Sequence, residues 1–220
     1  MAITMSTTAK LHRYTGTGIT VTFEATRCIH AAECARGLPS VFDSRSRPWV
    51  NPDGAAADAI AATVLRCPSG ALHVERQDGV TEASDTINTA APTVDGPTYL
   101  RGDLALIDAD GNVALRDTRM ALCRCGASQN KPFCDRSHEK TGFKDGAALR
   151  AAESPPATAG GGPLTIRARP NGPLMLTGPL TIVGANGRQA FAESTFLCRC
   201  GASGNKPYCD GTHKRIGFTA

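Results

Sequence analysis

Sixteen residues near the end of the chain, CRCGASGNKPYCDGTH from Cys198 to His213, bring three thiols and one imidazole close together. The same spacing occurs earlier, from Cys123 to His138, where CRCGASQNKPFCDRSH keeps the Cys and His positions while the residues between them change. Thiolates and imidazoles are good ligands for transition metals, and a spacing that occurs twice is hard to ascribe to chance. The repeat therefore predicts two metal centres, each with three Cys and one His.

The residues between these ligands must bend the chain. Cys198 and Cys200 are alternate residues, so their side chains would point apart in an extended segment, and a turn over residues 201–205 is needed to bring both sulfurs to one centre. His213 follows Cys209 by four residues, which is the separation that puts two side chains on the same side of a helical turn. We therefore expect an irregular loop followed by a short helical turn.

Both segments resemble the CDGSH iron-sulfur domain of mitoNEET-type proteins, whose pattern is Cys-x-Cys, a Ser or Thr, a Pro, and then Cys-Asp-Gly-Ser/Thr/Ala-His. The resemblance implies one 2Fe-2S cluster in each segment. The implied ligands are Cys123, Cys125, Cys134 and His138 for the first cluster, and Cys198, Cys200, Cys209 and His213 for the second.

The first segment departs from this pattern at Arg136, where the family has Gly. If the position requires a positive backbone φ, a side chain there costs about 1 kcal/mol. We expect the first cluster to bind, with altered lability.

Two other interpretations of the repeated cysteines remain. Zinc also accepts three sulfurs and one nitrogen in a tetrahedron, although common zinc modules use Cys-x2-Cys knuckles. Disulfides fit less well, because nine cysteines is an odd number and no signal peptide is expected near Met1.

A third cysteine set lies in the first part of the chain. Cys28 and Cys34 are separated by five residues, and Cys67 precedes Pro68. This is the bacterial ferredoxin run without its middle cysteine, because Ala31 stands where that ligand would be. Three thiolates can hold three corners of a cubic cluster, so the fourth corner must be vacant or take another ligand.

Residues 11–76 resemble the divergent single-cluster ferredoxin domain, in which a Cys-x5-Cys stretch is joined by a distant Cys-Pro-Ser-Gly-Ala-Leu. We expect Cys28, Cys34 and Cys67 to hold a 3Fe-4S cluster. The first alternative is a 4Fe-4S cluster with His30 as the added ligand, and the second is a set of buried thiols without metal.

The two resemblances, with the hairpin and linker signals between them, imply an α+β protein in which a small ferredoxin-like α+β domain precedes two β-rich CDGSH modules. With only 5% aromatic residues, 23 Gly and 14 Pro, the cores must be small, so that bound inorganic centres contribute to folding. The expected segments are a disordered leader at 1–10, the ferredoxin-like domain at 11–76, a linker at 77–97, the first CDGSH module at 98–150, a linker at 151–163 and the second CDGSH module at 164–220.

Local patterns predict the elements of each domain. In the first domain we expect strands over residues 19–23 and 47–50 and from about Ala71, and a short helix that ends at Gly37. A helix over residues 55–65 should be capped by Asn51 or Asp53. Alternating apolar and polar residues on both sides of Asp110-Gly111 and of Asn186-Gly187 predict a β-hairpin in each CDGSH module.

A single CDGSH module is too small to bury much surface, and the mitoNEET-type proteins solve this by pairing two chains. Here the linker at 151–163 would let the two copies pair within one chain at high effective concentration. We expect a monomer with an intramolecular pseudo-dimer, built as a two-stranded or swapped β-sandwich with both clusters at one end.

Charge and hydropathy limit the partners. The net charge of +4 is concentrated in residues 160–220, where seven Lys and Arg face Glu193 and Asp210. This surplus is too mild for a nucleic-acid-binding protein, but it makes the last repeat a candidate dock for an acidic redox partner. No apolar run approaches the ~20 residues that cross a bilayer, so we expect a cytoplasmic protein without a membrane partner.

The motifs favour electron transfer over catalysis. The sequence has neither Gly-x-Gly-x-x-Gly after a strand nor a Gly-x-Ser-x-Gly nucleophile turn, so we expect a three-cluster carrier that needs a separate reductase and a separate acceptor. The runner-up is a redox- and pH-sensitive sensor or cluster-transfer protein. A zinc-bound interaction scaffold is the alternative of another class.

Overall fold

The computed structural model describes residues 10–151 and 161–220. The leader expected at 1–10, apart from Lys10, and most of the linker expected at 151–163 lie outside the described residues. The chain divides at Ala83 and Ser84 into two compact units.

The first unit is a three-stranded antiparallel sheet with two short α-helices. Its elements are β1 (Leu11–Thr15), β2 (Ile19–Glu24), a 3-10 turn (Ala25–Arg27), α1 (Glu33–Gly37), a second 3-10 turn (Pro52–Gly54), α2 (Ala57–Val64) and β3 (Leu72–Arg76). The central strand β2 pairs with both neighbours. Its side chains Ile19 and Val21 are buried with Ile60 and Val64 of α2, so the apolar face of the helix closes the core.

Two local expectations for this unit were wrong. Residues 47–50 contribute a single bridge, between Phe42 and Val50, and not a strand, because Pro48 has no N–H to donate to a ladder. Asn51 does not cap α2. Its side chain accepts from the N–H of Asp53 at 3.3 Å and so caps the 3-10 turn, while α2 begins after Ala56 without a side-chain cap.

The second unit is a six-stranded sheet with two short helices. Its elements are β4 (Thr89–Pro92), β5 (Thr98–Ile107), β6 (Val113–Leu122), α3 (Ser137–Thr141), β7 (Leu164–Ala168), β8 (Leu174–Val183), β9 (Gln189–Leu197) and α4 (Thr212–Arg215). The two hairpins expected from the sequence form as β5–β6 and β8–β9, with Asp110-Gly111 and Asn186-Gly187 at their tips.

The two repeats join in the middle of this sheet. Strand β4 pairs antiparallel with β5 of its own repeat and parallel with β8 of the other, and β7 pairs antiparallel with β8 and parallel with β5. Residues 77–97, interpreted from the sequence as a linker, thus contain a strand. Its sequence Thr-Ala-Ala-Pro has no apolar alternation that would have revealed the strand, and neighbouring strands pair with both of its edges.

Each long strand changes partners at a glycine. Strand β5 pairs with β4 up to Arg101 and with β7 from Leu104, and Gly102 lies between with φ 132°. A Cβ at Gly102 would lie 2.1 Å from Asn88 Oδ1, and one at Gly178 of β8 would lie 2.4 Å from the carbonyl oxygen of Pro163. These close approaches let β4 and β7 enter the sheet, so that both repeats share one core. Its fully buried aliphatic side chains include Leu100, Leu104, Met120, Leu122, Leu164, Ile166, Leu174, Leu176 and Ile182.

Candidate metal centres

The predicted ligands of the second repeat form two close pairs. The Sγ atoms of Cys198 and Cys200 lie 3.8 Å apart, and Cys209 Sγ lies 3.3 Å from His213 Nδ1. Only His213 lies in α4, since Cys209 precedes the helix, so the expected placement of both on one helical turn is replaced by a bend that starts at Gly211. The strand end and the loop meet where Cys209 N–H donates to the carbonyl of Phe196 at 2.8 Å.

The first repeat has the same arrangement. Cys123 Sγ and Cys125 Sγ are 3.8 Å apart, and Cys134 Sγ is 3.5 Å from Nδ1 of His138, which lies in α3. Cys134 N–H donates to the carbonyl of Ala121 at 2.8 Å, as its counterpart does in the second repeat. The two segments therefore fold alike as well as sharing a spacing.

The distances say which atoms could share a metal ion. Two sulfurs bound tetrahedrally to one ion at about 2.3 Å lie about 3.8 Å apart, which is the separation found in both Cys-x-Cys pairs. Within residues 10–151 and 161–220, no three Cys, His, Asp or Glu side chains gather around a point that could hold one ion. Each repeat thus presents two donor pairs.

The loop between the pairs is held by its own side chains. Ser203 Oγ donates to the carbonyl of Tyr208 at 2.7 Å and accepts from the N–H of Asn205 at 3.0 Å. Asp210 accepts from the N–H groups of Thr212 at 2.9 Å and Gly204 at 2.8 Å, and these bonds hold the pKa of Asp210 well below its usual range. Ser128 and Asp135 make the corresponding bonds in the first repeat.

The environment of the sulfurs favours thiolate at one position of the first set. A hydrogen bond from the Cys123 thiol lowers the pKa of Cys125 to about 6, whereas burial raises the pKa of Cys134 to about 11. Backbone N–H groups also point at sulfur, from Arg136 to Cys134 Sγ at 3.4 Å and from Gly211 to Cys209 Sγ at 3.4 Å. Such donors stabilise negative charge, which a metal-bound thiolate set carries.

The residue that precedes each short helix has a left-handed backbone. Gly211 has φ 83° and Arg136 has φ 70°. The family's Gly therefore meets a backbone requirement, which the first repeat meets with a strained Arg. The Arg136 side chain forms a two-pronged contact with Glu139, with both N–O distances at 2.8 Å.

Sequence reasoning missed the two arginines between the paired cysteines. Arg124 is 3% exposed and donates to the carbonyls of Gly96 and Thr93 and, at 2.6 Å, to Asp145 Oδ1. Arg199 is 1% exposed and donates to the carbonyls of Gly172 and Arg169. The signal that could have found them is the Cys-Arg-Cys tripeptide that both repeats retain.

The two Cys-x-Cys loops touch each other. A Cβ on Gly126 would lie 2.6 Å from the carbonyl oxygen of Cys200, and a Cβ on Gly201 would lie 2.7 Å from that of Cys125. The peptide units of the two predicted centres therefore pack together without intervening side chains.

The three cysteines of the first unit line one cavity. Cys28, Cys34 and Cys67 face it together with apolar side chains that include Phe23 and Trp49, and burial raises the pKa of Cys34. His30 also lines this cavity, although much of its surface is exposed. The loop around the missing fourth cysteine is strained, with φ 53° at His30 and φ 60° at Ala32, as is common where a backbone is shaped by a site.

The fold and these donor sets define a metal-binding protein of the iron-sulfur class. A family model described as a divergent 4Fe-4S mono-cluster matches residues 14–77, and one described as an iron-binding zinc finger of CDGSH type matches residues 95–139 and 171–214. The chain belongs to the CDGSH iron-sulfur family, with two CDGSH motifs in tandem fused to a divergent single-cluster ferredoxin domain.

Among curated proteins, the chain is similar to the uncharacterized protein YjdI of Escherichia coli strain K12 and of Escherichia coli O157:H7. It is 37% identical to each over 59 residues, which cover 27% of this chain and 78% of the relative. Across the part of the chain that the structure describes, every helix is too short or too polar to traverse a bilayer.

Proposed function

We propose that this protein is an electron carrier with three iron-sulfur clusters. The observation that carries the proposal is the arrangement of each CDGSH repeat as a Cys–Cys pair and a Cys–His pair. Two donor pairs suit the two iron ions of a 2Fe-2S cluster, whereas one zinc ion would need four donors around a single point. The ligands are Cys123, Cys125, Cys134 and His138 in the first cluster, and Cys198, Cys200, Cys209 and His213 in the second.

The cavity of the first unit suits a third cluster, held by Cys28, Cys34 and Cys67. The matching family model, that of a divergent 4Fe-4S mono-cluster, fits the four-iron alternative better than the three-iron cluster expected first. His30 lines the cavity and is the candidate for the fourth ligand.

The donor sets and the packing of the repeats support a role in electron transfer. One His in place of a Cys leaves a 2Fe-2S centre less negative, and such centres accept an electron more readily than all-cysteine ones. The direct contact of the Gly126 and Gly201 loops supports electron exchange between the two CDGSH centres.

The same contacts support the arrangement of the whole chain. The parallel pairings of β4 with β8 and of β5 with β7 favour a monomer whose two repeats form an internal pseudo-dimer. Such a carrier works with a separate reductase and a separate acceptor, and its free thiols suit the reducing cytoplasm.

Metal analysis of protein purified without oxygen tests the proposal. We expect about eight iron and about eight sulfide per chain with a four-iron first cluster, or about seven iron with a three-iron cluster. Electron paramagnetic resonance separates the two forms, because a three-iron centre is paramagnetic when oxidised and the 2Fe-2S centres when reduced. A colourless protein with zinc and without sulfide would instead establish the zinc scaffold.

One observation favours the second candidate, a sensor or cluster-transfer protein. Arg136 holds a left-handed backbone beside Cys134, so the first CDGSH cluster sits on a strained loop suited to release. The test compares two rates. A cluster-transfer protein should pass iron to an acceptor protein that lacks its cluster faster than a reductase reduces the clusters of this protein, as followed by visible absorbance.

A further inference from the structure

We propose that the surface around the second CDGSH centre docks a small acidic one-electron carrier of the ferredoxin type. We define this second-centre surface by Lys214, Arg215, Ile216 and Phe196. The inference rests on the proposed function and deepens it by naming the partner's chemistry and the place where it binds.

The first observation is a difference in charge between two otherwise matching sites. Lys214 and Arg215 are exposed beside His213, and the only acid between Cys209 and Ile216 is Asp210, whose carboxylate is occupied by backbone N–H groups. At the first centre the positions of Lys214 and Arg215 hold Glu139 and Lys140.

The charges of the first centre compensate one another. Glu139 pairs with Arg136 through two contacts of 2.8 Å, and the same segment holds one further acid, Asp135, and one further base, Lys140. Residues 135–140 therefore hold two acids and two bases, whereas residues 210–215 hold one acid and two bases, so the second centre carries the more positive segment of the two.

The second observation is a difference in apolar exposure. Ile216 is 52% exposed and Phe196 is 45% exposed. Their counterparts in the first repeat are Thr141 and Ala121, and Ala121 is only 2% exposed. The carbonyl of Phe196 accepts the N–H of Cys209 at 2.8 Å, so this apolar residue lies one hydrogen bond from a proposed ligand.

Apolar residues beside basic ones, next to a centre, suit a transient protein partner of opposite charge. Complementary charge steers the encounter and raises the association rate at low ionic strength, while exposed apolar groups supply the dry contact. Two cations make a poor nucleic-acid surface, and they hold an anionic membrane only weakly, since lipid-binding segments use clusters of four or more. An acidic carrier protein is therefore the occupant that these residues favour.

The exchange at this surface is a single electron transfer. The reduced partner loses one electron and is oxidised, and the second centre of this chain gains it and is reduced. No bond forms or breaks and no proton needs to move. The side chains of the second-centre surface position the partner next to His213.

The test follows reduction of the intact holoprotein by a reduced plant-type 2Fe-2S ferredoxin in stopped-flow absorbance without oxygen. The variants are Lys214→Gln with Arg215→Gln, Lys214→Glu with Arg215→Glu, and Ile216→Ser. The matched control is Lys140→Glu, which changes the position equivalent to Arg215 in the first repeat. Reduction by dithionite and the midpoint potential are measured for every variant, so that a change in the cluster itself is detected.

We expect the glutamate pair to slow reduction by the ferredoxin about tenfold at low ionic strength and the glutamine pair to slow it less. The difference should shrink at high salt, and Lys140→Glu should stay within about twofold of the unmodified protein. Equal slowing by Lys140→Glu, or a rate independent of salt in the unmodified protein, would overturn the inference.

Two further outcomes are distinguishable. If the chain sediments with phosphatidylserine vesicles and the glutamate pair abolishes this without affecting the ferredoxin reaction, the surface serves a membrane and the inference is wrong. If the protein carries no iron or sulfide, the proposed function itself fails, and the docking inference fails with it.

Discussion

At the scale of single residues, the two CDGSH repeats differ most tellingly where a left-handed backbone is required. Both short helices begin after such a residue, but one is Gly211 and the other Arg136. A side chain in this region costs about 1 kcal/mol, and the exposed contact of Arg136 with Glu139 returns only about 0.3–0.5 kcal/mol. The first repeat therefore keeps its loop under strain.

The change Arg136→Gly should relieve this strain. We expect the first cluster to be lost more slowly, by a factor of about two to five, because relief of about 0.5–1 kcal/mol stabilises the loop that holds it. Decay of the visible absorbance of the holoprotein at fixed temperature measures this. The reciprocal change Gly211→Arg, in the second repeat, should accelerate loss; equal lifetimes for both variants would contradict the argument.

The proposed histidine ligands make a second prediction at this scale. The change His213→Cys adds a negative charge to the second centre, so its midpoint potential should fall, as all-cysteine 2Fe-2S centres lie below histidine-ligated ones. His138→Cys is the matched variant and should lower the potential of the first centre alone. A redox titration followed by electron paramagnetic resonance separates the two, and an unchanged potential would remove His213 from the ligand set.

At the scale of elements, the sequence predicted those parts whose signal is local. Asp110-Gly111 and Asn186-Gly187 between alternating residues identified both hairpins, and Gly37 marked the end of α1. Strand β4 was not predicted, because it is stabilised by pairing with β5 and β8 and has no apolar pattern of its own. The sequence predicted a cost at Arg136 only if this position requires a positive φ, and the backbone of the structure was needed to establish that it does.

The partner change in the long strands can be tested at Gly178. An added Cβ would meet the backbone carbonyl of Pro163 at 2.4 Å, and the backbone φ of 123° is itself unsuited to a side chain. We expect Gly178→Ala to lower the free energy of unfolding by more than about 2 kcal/mol, because two strands must separate or bend. Gly187→Ala, at a hairpin tip with φ 76° and open space, should cost about 1 kcal/mol. Denaturant unfolding of both variants measures the difference, and similar losses would count against a tight strand exchange.

At the scale of the whole molecule, the sequence revealed the duplication but not how the copies interlock. The first strand of each repeat also pairs with the hairpin of the other repeat. The core of the second unit is therefore formed by residues from both repeats, which lie far apart in the chain. The sequence did not predict the contact between the Cys-x-Cys loops either. A glycine that leaves room for the carbonyl of another segment cannot be distinguished in the sequence from any other loop glycine.

If the repeats act as one body, damage to one loop should reach the other cluster. A Cβ at Gly126 in the first repeat would lie 2.6 Å from the carbonyl oxygen of Cys200 in the second. This oxygen belongs to the backbone, so it cannot move aside as the end of a flexible side chain could. We therefore expect Gly126→Ala to accelerate the loss of both CDGSH clusters, whereas Gly142→Ala, with φ 67° and open space, should affect the first cluster at most. Electron paramagnetic resonance of reduced samples, taken during decay, counts the surviving centres. If the second cluster has the same lifetime in Gly126→Ala as in Gly142→Ala, the two loops touch but the stability of one does not depend on the other.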